Sequence, residues 1–153
     1  MEKAVIMHNE LKKNVPVTFP DPISVGPRIW GSEGLLVLVS KSFSFKRIFL
    51  RAGSKGGLQY HRLKNEAGVL ISGEIIVRYD DGTGSLTERV VKPGDVFHFE
   101  PGVVHQTEAL SDSIYIEAST PHFNDRVHAE AIYGIQHEEG GLPTTNLEEI
   151  QLK

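Results

Sequence analysis

Gln59 and His61 stand two residues apart in the stretch Gly53-Ser54-Lys55-Gly56-Gly57-Leu58-Gln59-Tyr60-His61-Arg62-Leu63-Lys64-Asn65-Glu66. In a strand, side chains alternate faces with period 2, so both would point the same way. Glu66 can return to that point after a short bend. A second fragment, Gly94 through Glu100-Pro101-Gly102-Val103-Val104-His105, brings one more imidazole. An amide oxygen, a carboxylate oxygen and two imidazole nitrogens form a mixed N/O ligand set. Such a set suits one divalent ion, with zinc placed first and iron, nickel or manganese as alternatives.

Composition narrows what else could do chemistry. The 153 residues contain no cysteine, so thiolate metal sites, disulfides and cysteine nucleophiles are all excluded. That also fits a reducing compartment, and the N-terminal residues carry no apolar run of the signal-peptide kind. A cytoplasmic location is expected. The formal charge of −4, with no long basic run, lacks the electrostatic footprint for nucleic acid or acidic lipid. No segment approaches membrane-spanning length. At 39% hydrophobic residues the chain can bury one real core, so a single domain is expected.

The elements that must position the ligands read as strands. Leu35 to Val39 is a short apolar run, with Trp30 at its entrance expected in the wall of the core. Phe43 to Arg51 alternates with period 2, placing Phe43, Phe45, Arg47, Phe49 and Arg51 on one face. Val69-Leu70-Ile71 meets a glycine turn at Gly73, Ile75 to Tyr79 leads to a hairpin signal at Asp80-Asp81-Gly82, and Leu86 to Val91 follows. Val96 to Phe99, His105 to Ala109 and Ile114 to Ala118 complete the series. Strands about ten residues apart, with turn signals between them, predict an all-β sandwich or barrel. Asp125 to Tyr133 is expected to be helical, with Gly134 ending it. Residues 1–27, with Pro16, Pro20, Pro22 and Pro27, read as an extended N-terminal strap. The barrel is expected over residues 28–134 and a polar tail over residues 135–153.

The two ligand fragments resemble the paired motifs of the cupin superfamily. Gly53, Gln59, His61, Glu66 and Gly73 match its first motif at the family spacing, with glutamine where most members have a histidine. Gly94, Gly102 and His105 match the second, with Glu100 in place of the first proline. The Gln59-x-His61-x-x-x-x-Glu66 form is similar to that of type II mannose-6-phosphate isomerases, including the C-terminal cupin domain of mannose-1-phosphate guanylyltransferase/mannose-6-phosphate isomerase. Pro27-Arg28-Ile29-Trp30-Gly31 and Pro101-Gly102-Val103-Val104-His105-Gln106-Thr107-Glu108 resemble the same family.

The resemblance implies a fold and an activity. The fold would be a double-stranded β-helix, the cupin jelly-roll barrel, with Gln59, His61, Glu66 and His105 holding the metal. The activity would be aldose–ketose isomerisation of the mannose-6-phosphate type. The metal would polarise the substrate carbonyl, and a separate base would move a proton between C1 and C2. His98, Glu100 and Lys64 are the candidates for proton transfer. Arg28, Arg47 and Arg51 are candidates for holding the phosphate, because guanidinium matches phosphate oxygens in pairs. The implied partner is a small sugar phosphate or nucleotide sugar. Two other readings use the same barrel: a non-catalytic sugar-binding or regulatory cupin, and a metal-dependent dioxygenase. Exposed sheet edges and an apolar outer face lead to the expectation of a homodimer.

Overall fold

The structure, a computed structural model, describes residues 17–25, 28–123 and 125–136. Most of the expected strap 1–27 and of the tail 135–153 therefore lies outside the described residues. Within the strap, residues 17–24 are exposed, Ile23–Ser24 forms a two-residue edge strand and Val25 is buried.

Eleven strands account for nearly all regular structure among the described residues: β1 (Ile23–Ser24), β2 (Gly31–Val39), β3 (Phe43–Leu50), β4 (Gln59–His61), β5 (Glu66–Ser72), β6 (Ile75–Asp80), β7 (Leu86–Val91), β8 (Val96–Phe99), β9 (His105–Ala109), β10 (Ser113–Ser119) and β11 (Arg126–His128). They form a six-stranded sheet, in the order β1-β2-β3-β10-β5-β8, and a five-stranded sheet, in the order β11-β4-β9-β6-β7. Every pairing between named strands is antiparallel. This is the all-β jelly-roll barrel expected from the strand series. The stretch expected to be helical from Asp125 divides instead. Arg126–His128 pairs with β4, and only Glu130–Tyr133 coils, as one 3-10 turn closed by Gly134 at φ 67°. Val127 and the pairing edge offered by β4 draw the first half into the sheet, a tertiary contact that local pattern does not carry.

The core lies between the sheets at one end. Ile48, Leu50, Leu70, Ile75, Val77, Val91, Phe99, Ala109 and Tyr115 pack there, with half-buried Trp30 and Phe97 against them. Gly68 is what lets Phe97 in. A Cβ on Gly68 would lie 2.3 Å from the Phe97 ring, which instead meets Tyr115 edge-on at 5.4 Å. Gly73, at φ 84°, makes the turn between β5 and β6 where a Cβ would strike Ser113 Oγ at 2.2 Å.

The other end of the interior is charged. On β3 the buried positions are Ser44, Lys46, Ile48 and Leu50, so the aromatic face carrying Phe43, Phe45 and Arg47 is the outer one. Glu33 of β2 and Glu117 and Ser119 of β10 are buried with Lys46, and Ser44 and Ser119 bond each other at 2.9 Å. The metal-ligand candidates sit where this charged end meets the apolar core.

Candidate metal centre

Three ligand atoms come together between the sheets. One atom each from His61, Glu66 and His105 lies within 4.8 Å of the others, and all three residues are buried. His61 ends β4, Glu66 opens β5 and His105 opens β9, so each stands at a strand terminus facing inward. Gln59 shares the inner face with His61 and is the direct partner of His105 across β4 and β9. Three of the four positions named from the sequence thus converge, and Gln59 is half-buried on the strand that carries His61.

The hydrogen bonds around the two imidazoles fix which nitrogen is offered to the centre. His61 Nδ1–H donates to Asp125 Oδ1 at 2.9 Å, and His105 Nδ1–H donates to the Val103 carbonyl at 2.9 Å. Nε2 is therefore the nitrogen each ring turns to the centre, and it offers a lone pair to an ion when the ring is neutral. The two Nε2 atoms face Glu66 Oε1, at 3.0 Å from His105 and 3.8 Å from His61. Without an ion, a proton on an imidazole Nε2 can bridge to Glu66, and a divalent cation would take the place of such protons. The donor set therefore fits a divalent metal. Phe99 supports His105 from below, its ring stacked on the imidazole at 4.0 Å.

Charge is divided carefully around this point. Burial alone would raise the Glu66 carboxyl, but the Lys64 ammonium beside it, with His105 and His61, holds it well below the ordinary carboxylate value. Burial lowers His61 from its ordinary value of 6.5, keeping the ring neutral as a ligand must be. Asp125 stays ionised against its own burial because the backbone N–H groups of Lys64 and Leu63, both at 2.7 Å, and the His61 ring bond it. Lys64 Nζ touches Glu66 Oε2 and lies 3.0 Å from Glu117 Oε1. Burial would lower it, but the two carboxylates raise it, so the amine is a firmly held ammonium. That corrects the expectation of Lys64 as a proton-abstracting base: it carries no lone pair to accept with.

The remaining candidates are scattered. His98 is exposed on the outer face of β8, where its Nε2 meets Asn65 Oδ1 at 2.6 Å, and Glu100 is exposed in the turn after that strand. Neither is brought to the triad. Among the arginines, Arg47 lies on the outer face of β3, and Arg51 is exposed with a bond to the Ile29 carbonyl at 3.3 Å. Arg28 alone turns inward. It joins Glu33 at 2.9 Å, whose other oxygen receives Lys46 Nζ at 2.6 Å. Arg126 is the direct partner of His61 across β11 and β4, so it shares the His61 face. Burial first, then the nearby Arg28 charge, lowers its pKa. Lys46, in turn, sits 4.9 Å over the Phe123 ring. None of Asp125, Lys46, Glu33, Glu117 and Arg126 was assigned a site role from the sequence. Only Lys46 left a signal, since strict alternation from Ile48 and Leu50 runs through it.

Comparison with known proteins agrees with this fold. Residues 47–116 match the cupin domain family. No curated protein matches the sequence. Among solved structures the chain is similar to the capsular polysaccharide assembling protein CapF from Staphylococcus aureus, with a TM-score of 0.63, 18% identity, and 71% of this chain but 32% of that one covered. It is similar to KdgF from Halomonas sp., with a TM-score of 0.56, 20% identity, and 67% and 89% covered. It is also similar to oxalate decarboxylase from Bacillus subtilis, with a TM-score of 0.63, 18% identity, and 78% and 36% covered. The chain thus spans about a third of CapF, and these likenesses show a shared cupin fold.

Proposed function

We propose that this chain is a metal-dependent cupin acting on a small anionic carbohydrate, with aldose–ketose isomerisation of the mannose-6-phosphate type as the leading activity. One observation carries the metal: the converging ligand atoms of His61, Glu66 and His105, with the Nδ1 of each ring held elsewhere. Gln59 would add an amide oxygen as the fourth ligand. Zinc suits such a set, and iron, nickel and manganese remain candidates; the oxalate decarboxylase neighbour has Mn(II) centres. When bound, the ion supplies Lewis-acid polarisation of a substrate oxygen.

The chain's own groups supply the rest. Arg28, Lys46 and Arg126 face the same interior as the triad, with Glu33 and Glu130 among the carboxylates near them, and guanidinium groups there suit phosphate or carboxylate oxygens. Phe123 and Tyr115 exclude water around them, being buried. Lys64, as an ammonium, is placed to neutralise negative charge on the Glu66 side.

A second reading has a specific observation behind it. His98 and Glu100 stand outside the interior and Lys64 is protonated, so none of the nominated bases reaches the triad as a base. That favours a sugar-binding or regulatory cupin that turns nothing over. A coupled isomerase assay on wild type, Gln59→His and His105→Ala, with metal content determined in parallel, separates the two. Isomerase chemistry requires turnover of mannose 6-phosphate to fructose 6-phosphate that changes in Gln59→His and disappears with the metal in His105→Ala. A fully metallated wild type inactive on every hexose and pentose phosphate moves the reading to binding. A homodimer through the outer face of the six-stranded sheet belongs to the same proposal.

A further inference from the structure

Glu66 has two oxygens, and the fold uses them separately. Oε1 faces the two imidazoles at 3.0 and 3.8 Å, while Oε2 is engaged by the Lys64 ammonium. Lys64 does not swing freely. Asp125 holds its backbone N–H at 2.7 Å, and Glu117, projecting from β10, receives the same ammonium at 3.0 Å. The lysine side chain is only 9% exposed. Placing a buried cation beside a site meant for a divalent cation costs electrostatic repulsion, so charge balance of Glu66 alone does not account for it.

We propose that Lys64 is a positioning residue that confines Glu66 to one-oxygen ligation of the metal, leaving a ligand place on the ion for water or substrate. A carboxylate binds a divalent ion through one oxygen or both. With Oε2 bonded to an ammonium that is itself anchored by Glu117, the second mode requires breaking a buried ion pair. Lys64 therefore sets how many places the metal keeps open, without contacting the metal. The inference rests on the metal-centre reading above, and its test separates the two.

The test uses manganese(II) as the probe and water-proton relaxation as the readout, which reports how many waters sit on the ion. Three proteins are compared after folding is checked by circular dichroism: wild type, Lys64→Arg, and the double variant Lys64→Met/Glu117→Gln, which removes cation and carboxylate together. Lys64→Arg is expected to match wild type because it keeps the cation. The double variant is expected to hold manganese with its relaxivity cut to roughly half, as one of two waters on a six-coordinate ion is displaced by Oε2. If the double variant does not fold, Lys64→Met alone is measured, with the same drop expected. Equal relaxivity in all proteins, or a folded variant unable to hold manganese, overturns the role of Lys64 alone. A wild type that binds no divalent ion overturns the metal centre itself.

Discussion

His61 is held at both ends of its ring: Nε2 looks into the site and Nδ1 is bonded to Asp125, which also collects the backbone N–H groups of Leu63 and Lys64. One carboxylate thus sets the tautomer of a ligand and the path of the chain leading to the next one. Asp125→Asn keeps the shape but loses the charge that raises imidazole basicity. It is expected to weaken divalent metal binding about 10- to 100-fold, measured by competition with a chelator. Unchanged affinity would remove Asp125 from the site. The ligands themselves were legible because they are clustered in sequence: Gln59 and His61 share a strand face, and Glu66 follows within one turn of chain. Asp125 was not, since 64 residues separate it from His61 and only the closed barrel joins them. Lys46 and Glu33 ran against the rule that charges face water, and their mutual pairing is what allows the exception.

Strand β3 shows how an alternating pattern fixes two faces without saying which is inside. Its outward residues Phe43, Phe45 and Phe49 continue onto Val37 and Val39 of β2 and Ile114 and Ile116 of β10, giving the six-stranded sheet a broad apolar outer surface. Phe43 is 46% exposed and Val39 39% exposed. Uncovered apolar area of that extent favours association. The proposed dimer is expected to sediment as two chains at micromolar concentration, and Phe45→Glu to shift it to one. A monomeric wild type would rule that interface out. The strand boundaries were readable because turn residues bracket each one, whereas β11 was hidden inside a helix-like stretch whose partner edge lies far back in the chain.

For the molecule as a whole, the charged half of the interior ties stability to pH. His61 in the folded chain lies below its ordinary 6.5, so the unfolded chain takes up that proton first as pH falls, and stability drops as pH descends through that region. Glu33, Glu66 and Asp125 are lowered from 4.5, 4.5 and 3.8, so their contributions are complete above those values and are lost on further acidification. Both effects have the same sign. The metal-free protein is expected to keep a constant melting temperature near about pH 7.5 and to lose it progressively below about pH 6.5. A melting temperature that rises on going from neutral to mildly acid pH would contradict the neutral, buried His61. Sheet order has a different consequence, for timing. β10 lies between β3 and β5, and β11 flanks β4, so the strands made last are wedged between or beside strands made early. Once residue 105 has been made, the nascent chain has its ligand candidates but lacks β10 and β11, the staves that hold them in place. The barrel closes only after Ser119 has emerged, and His61 acquires its Asp125 brace later still. The proposed metal site is accordingly completed late in folding, once β10 and β11 have joined the sheets that hold its ligands.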